Sequence, residues 1–156
     1  MNLELKVPPL AVVTLTGVGM GLFAWLWPDA PLAGLLSPRI RLGLVGGCVS
    51  LGAPLGILGV MTFRRIGTTV NPNRPDRVSS LVTGGVYQWT RNPMYVAMLL
   101  GLVALSVGLN HLLALLWVPV YVGYMNRFQI QVEERFLAER YGAEYLEYCQ
   151  RVRRWI

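Results

Sequence analysis

The chain has 156 residues, 54% hydrophobic and only 14% charged, with a net charge of +6. The length suits one domain, and so apolar a composition excludes an ordinary water-soluble one. Two cysteines far apart, Cys48 and Cys149, and a single histidine, His111, give no basis for a disulfide framework or a metal site.

The first apolar run, "PPLAVVTLTGVGMGLFAWLW" at 8–27, carries no charge and is long enough to cross a bilayer core. Its flank "MNLELK" and its length argue for a retained transmembrane helix over a signal peptide. The second, "LGLVGGCVSLGAPLGILGVMTF" at 42–63, is also uncharged, and Pro54 is expected to kink it. Gly17-x-x-x-Gly21 and Gly52-x-x-x-Gly56 permit close helix packing. Residues 64–92 form a polar loop, broken by proline and glycine. Apolar sequence returns at Pro93 and reads as a tight helical hairpin, 93–108 and 111–126. The hairpin turns at Gly108–Asn110, with His111 as a polar residue of the turn. The tail 127–156 is charged and amphipathic, with Phe128, Val132, Phe136 and Leu137 at helical spacing. It predicts a helix against the bundle or the membrane interface.

Arginine placement sets the orientation. The segment 64–91 holds five arginines and the tail six, whereas the hairpin turn holds none. The positive-inside bias puts the 64–92 loop, the tail and both chain ends in the cytoplasm. The expected fold is thus a single all-α integral membrane domain with four transmembrane helices and a cytosolic C-terminal helix. A bacterial inner membrane is the expected location. The net positive charge then suits anionic membrane lipids rather than nucleic acid.

Loop and tail share one side, which predicts a cytosolic pocket formed by "LVTGGVY" (81–87), "TRNPMY" (90–95) and Glu133–Glu134. Asn92 and Pro93 read as an N-cap and first helical residue, which leaves Arg91 and Tyr95 unexplained. Gly84 and Gly85 let backbone approach a ligand. Loop N–H groups and the helix start suit a carboxylate, and a glutamate suits an ammonium. The aromatic rings of Tyr87, Trp89 and Tyr95 suit a flat or cationic group. Singly, each feature has a plainer reading. Glu133 and Glu134 suit a solvated helix face, with Glu134 turned about 100° away from Glu133. Tyr141, Tyr145 and Tyr148 suit packing or interfacial anchors, and Arg151, Arg153 and Arg154 suit headgroup contacts.

"LVTGGVYQWTRNPMY" (81–95) followed by "EERFLAERYGAEYLEYCQRV" (133–152) resembles the isoprenylcysteine carboxyl methyltransferase and phospholipid methyltransferase group of integral-membrane enzymes. The resemblance covers about the C-terminal 90 residues. It implies S-adenosylmethionine as cofactor and a lipophilic or lipid substrate entering between helices. It also implies cofactor contacts from Ser79, Ser80, Leu81, Val82, Gly85, Tyr87, Asn92, Pro93 and Tyr95. Glu133 would take the methionine ammonium, and Arg91, Asn92 and Tyr95 would be catalytic. Gln129 stands where prenylcysteine enzymes tend to carry an arginine for a substrate carboxylate. Gln129 and Arg127 are therefore the expected substrate contacts, with Arg91 as a further substitute for the missing charge, and a prenylcysteine substrate is weakened. Asn92 stands where many relatives have histidine, and only histidine titrates near neutrality. Two other readings compete. Sterol reductases look similar at the C-terminal end and use a nicotinamide dinucleotide, and the glycine-rich helix faces also suit a non-catalytic scaffold.

Overall fold

A computed structural model describes residues 4–28, 35–66 and 80–156. Ser79 and the rest of 67–79, within the expected 64–92 loop, lie outside the described residues. Three helices open on proline at the first helical position, where its missing N–H has no partner to lose: α1 (Pro9–Leu26), α2 (Pro38–Ile66) and α3 (Pro93–Gly108). A 3₁₀ turn at Leu113–Leu116 then leads into α4 (Trp117–Met125), a π-turn (Asn126–Ile130) and α5 (Gln131–Tyr141). α6 (Ala143–Arg151) follows.

α2 is longer than the apolar run 42–63, because Arg39 and Arg41 lie in its first turns and Arg64 and Arg65 in its last. Such side chains lay their stems along apolar surface while the charge reaches polar surroundings. α1 and α2 are long and apolar enough to cross a membrane, and α3, at 16 residues, is shorter. Leu15, Trp25, Leu42 and Leu51 point outward and are more than half exposed. That surface requires hydrocarbon rather than water as its solvent. Within α1, the hydroxyls of Thr14 and Thr16 donate to Leu10 O and Val12 O at 2.8 Å, which satisfies them inside an apolar helix.

Glycines govern the packing of α2 on α3. A Cβ at Gly52 would lie 3.1 Å from Leu100 Cβ, one at Gly56 3.1 Å from Ala97 Cβ, and one at Gly59 3.1 Å from Met94 Cγ. Contacts that descend α3 as they ascend α2 make the pair antiparallel. In α1 the glycine that matters is Gly19, since a Cβ there would sit 2.7 Å from the Trp117 ring, while Gly21 has open space. Met20, Tyr121, Met125 and Ile130 are fully enclosed, and they join α1, α3 and α4 around Tyr95 and Leu102.

The two ends of this bundle are fastened separately. At one end the buried His111 ring nitrogen Nε2 lies 2.6 Å from Trp27 O. At the other, Leu5 N donates to Phe128 O at 3.1 Å and Arg135 pairs with Glu4 at 3.1 Å. The tail departs from the single helix expected over 127–156. The π-turn opens it, Gly142 at φ +52° divides α5 from α6, and Val152 leaves α6 in extended conformation. Glycine is the residue that adopts such a φ at little cost.

Candidate active site

Gly85, at φ +61°, opens a 3₁₀ turn at Gly85–Gln88. The turn seats Tyr87, 4% exposed, edge-on against Phe63 with centroids 5.4 Å apart. Tyr148 on α6 donates its hydroxyl to Tyr87 O at 2.7 Å. Residues 90–92 then lie along 153–154. Arg91 N donates to Arg153 O at 3.0 Å, and Asn92 Nδ2 and Thr90 Oγ1 donate to Arg154 O at 2.9 and 3.3 Å. Asn92 therefore occupies the N-cap position of α3, but its side chain makes no cap. Its amide is turned to the tail instead.

Tyr95 and Gln129 converge on Glu133. The Tyr95 hydroxyl donates to Glu133 Oε1 at 2.7 Å and Gln129 Nε2 donates to the same oxygen at 2.9 Å. Gln129 is 1% exposed and Tyr95 6%. Burial pushes the Glu133 carboxyl from 4.5 to about 7, against the two hydrogen bonds, which lower it. The residue as a whole is half-buried, but its carboxyl group is enclosed. Tyr87 is pushed up by burial, with Tyr148 and Glu133 adding to the effect. Ser80 Oγ and the Tyr87 hydroxyl are buried without a protein partner among the described residues.

Glu134 meets the opposite chemistry. Arg154 grips it with two bonds, Nε to Oε1 at 3.0 Å and Nη2 to Oε2 at 2.6 Å. Arg91 Nη2 adds a third contact at 3.1 Å, and its Nη1 lies against Cys149 Sγ. This bridge ties α5, the start of α3 and the last residues together. Arg154 is thus an internal ion-pair partner, not the expected headgroup contact, and Glu134 is far from a solvated bystander. Tyr145 and Tyr148 pack with Val152, Leu81 and Leu137, as expected of anchors.

Two cavities flank this region. An apolar cleft of about 700 Å³ runs between α1, α2 and α3, lined by residues such as Leu10, Cys48, Gly52, Ile57 and Met98, and reaches Tyr95. A pocket of about 420 Å³ lies on the Glu134 side, lined by Arg91, Gln131, Arg135, Tyr145 and Cys149.

Of the residues singled out from sequence, Tyr95, Gln129 and Glu133 form one cluster. Asn92 and Arg91 belong to the neighbouring loop–tail junction, while Pro93 and Val82 are buried supports. Leu81 packs on the tyrosine cluster and Gly85 shapes the turn beneath Tyr87. Arg127 is exposed, and Trp89 is 78% exposed. Sequence reasoning missed Asn126 and Trp155 altogether, and the pairing of Glu134 with Arg91 and Arg154. Their partners lie 20 or more residues away in the chain, and no local pattern announces them.

A model of the phospholipid methyltransferase family matches residues 42–144. Protein-S-isoprenylcysteine O-methyltransferase B of Arabidopsis thaliana is 33% identical over 104 residues, 67% of this chain and 53% of the plant protein. Protein-S-isoprenylcysteine O-methyltransferase of Saccharomyces cerevisiae is 28% identical over 134 residues, 83% of this chain and 54% of the yeast protein. This chain thus spans about half the length of either. An uncharacterized Haemophilus influenzae protein is 43% identical over its full length, 63 residues, or 40% of this chain. No solved structure matches. With two thirds of its length under the family model, including most of α2, all of α3 and the Glu133 cluster, the chain belongs to the phospholipid methyltransferase family.

Proposed function

We propose that this chain is a membrane methyltransferase that moves a methyl group from S-adenosylmethionine to a lipophilic acceptor. One observation carries the reading: Tyr95 lines the apolar cleft and donates its hydroxyl to the buried carboxylate of Glu133. The side chain thus joins a space fit for a hydrocarbon tail to a group fit for a cation.

When bound, S-adenosylmethionine supplies a methyl on a sulfonium, and its amino-acid end carries an ammonium. The residues present fit it. Glu133 has two neutral donors on Oε1 and no guanidinium or ammonium partner among the described residues. An enclosed carboxylate of that kind gains most from a ligand's positive charge. Ser80 Oγ and the Tyr87 hydroxyl are orphaned polar groups of the kind a ligand would satisfy. Tyr95 and Gln129 hold the carboxylate in place. Methyl transfer is an in-line displacement, so what these residues contribute is orientation and a water-poor surround.

The same geometry speaks to the acceptor. Gln129 is committed to Glu133, Arg127 is exposed, and Arg91 is paired with Glu134. Within the cluster and the loop–tail junction, then, neither Gln129 nor Arg91 is disposed to receive a substrate carboxylate. The reading therefore favours an acceptor without a negative charge, in contrast to prenylcysteine.

In this reading four segments cross the membrane: α1, α2, α3 and the helical path 113–126. The chain ends and the Glu133 cluster are cytosolic. The separate fastening of the two bundle ends supports an up-down-up-down order, as does the arginine bias. Calorimetry in detergent with S-adenosylhomocysteine and with NADPH is the test. Binding of the first alone is expected; binding of the second alone favours the reductase reading, and binding of neither favours a scaffold.

A further inference from the structure

Tyr121, Met125, Gln129 and Glu133 recur at steps of four residues. In an unbroken α-helix each such step overshoots a full turn by about 40°, so Glu133 would stand about 120° around from Tyr121. In the structure both meet the same residue. The Tyr121 hydroxyl donates to Tyr95 O at 3.5 Å, and Glu133 accepts from the Tyr95 hydroxyl at 2.7 Å. The π-turn Asn126–Ile130 accounts for the difference. One extra residue in the turn takes back about 100° of that drift, which leaves the two within about 20° of one face.

A π-turn disturbs the regular helical bonding, and here two other segments bond to it. Trp155 Nε1 donates to Asn126 Oδ1 at 3.0 Å, and Leu5 N donates to Phe128 O at 3.1 Å. Trp155 follows Arg154, whose carbonyl takes the Asn92 amide. The segment that holds the start of α3 therefore also holds the turn from which Gln129 projects.

We propose that Asn126 and Trp155 are positioning residues whose hydrogen bond holds the π-turn and so aims Gln129 and Glu133 at Tyr95. The consequence for ligand affinity rests on the methyl-donor reading; the consequence for the turn itself does not.

The test uses the full chain in lipid nanodiscs. Trp155→Phe keeps a ring and removes the indole N–H. Loss of one hydrogen bond is expected to speed hydrogen exchange at 126–133 about fivefold while α1 and α3 exchange as before. Affinity for S-adenosylhomocysteine is expected to fall by a similar factor. Asn126→Leu should behave alike, and Asn126→Asp, which keeps an acceptor oxygen, should restore both readouts. Unchanged exchange at 126–133 in Trp155→Phe and Asn126→Leu overturns the proposal. So does faster exchange with undiminished affinity. If the wild type binds no S-adenosylhomocysteine, the methyl-donor reading fails by itself, and the exchange data still decide the role of the turn.

Discussion

On one side of α5, Glu133 meets a carboxamide and the phenol of Tyr95, which itself lines a cleft built from apolar side chains. On the other, Glu134 is held by two guanidinium groups that tie the start of α3 to the last residues of the chain. The two carboxylates are adjacent in sequence, but among the described residues only Glu134 has its charge answered by a cation. A neutralised carboxylate fastens parts together, whereas an enclosed one without a cation is a stability cost unless something else uses it. The difference gives Glu134 a part in the architecture and, on the proposed function, gives Glu133 a part in the chemistry.

Substitution of each carboxylate is the sharpest way to break that comparison. Glu134→Ala leaves Arg91 and Arg154 without their shared partner. It is expected to destabilise the fold by about 3 kcal/mol, in line with broken ion pairs of restricted exposure. Unfolding in detergent followed by circular dichroism reads this, and an unshifted midpoint would reduce the bridge to decoration. Glu133→Gln should do the reverse. It is expected to keep or raise stability and to weaken S-adenosylhomocysteine binding at least about 30-fold, the scale of truncating one partner of a buried charged pair.

The pH dependence carries the same contrast. With the Glu133 carboxyl raised from 4.5 to about 7, the folded chain holds a proton that the unfolded chain has already lost. Its contribution to stability is therefore full below pH 4.5 and is lost as pH rises to about 7. Comparing unfolding midpoints across that range should show a fall in the wild type that Glu133→Gln flattens. A parallel pair of curves would mean that Glu133 is not enclosed.

Parts of this contrast were legible in the sequence, and parts were not. α3 could be placed at 93–108 because Pro93 and Gly108 punctuate an apolar run. Glu133 stood out only through its resemblance to a family pattern. The π-turn left a trace in the four-residue steps from Tyr121 to Glu133, but such steps also suit a regular helix, and what decides is that both residues must reach Tyr95. Glu134 and Arg154 were misread because charged residues in an amphipathic tail look solvated until the fold brings Arg91, 43 positions upstream of Glu134, against them. The break at Gly142 was likewise passed over, since a lone glycine does not reveal its φ.

Smaller effects sharpen the comparison further. Tyr95→Phe keeps the ring in the cleft and removes the donor to Glu133. It is expected to lower methyl transfer about tenfold, the scale of a hydrogen bond to a charged group, with little change in stability; transfer at the wild-type rate would detach the cleft from the carboxylate. Gly56→Ala acts on the apolar side alone, where the new Cβ would lie 3.1 Å from Ala97 Cβ. Mild overpacking should cost about 1 kcal/mol and leave S-adenosylhomocysteine affinity untouched, as calorimetry would show.

The account turns on whether Glu133 serves transfer of a methyl group to something lipophilic. Wild-type protein and Glu133→Gln, both confirmed folded, would be incubated in nanodiscs with S-adenosylmethionine tritiated in its methyl group and a total lipid extract. Label in the organic phase with the wild type, and at least about 30-fold less with Glu133→Gln, is the expected result. Equal labelling by both proteins, or none by a wild type that binds the cofactor product, would contradict it.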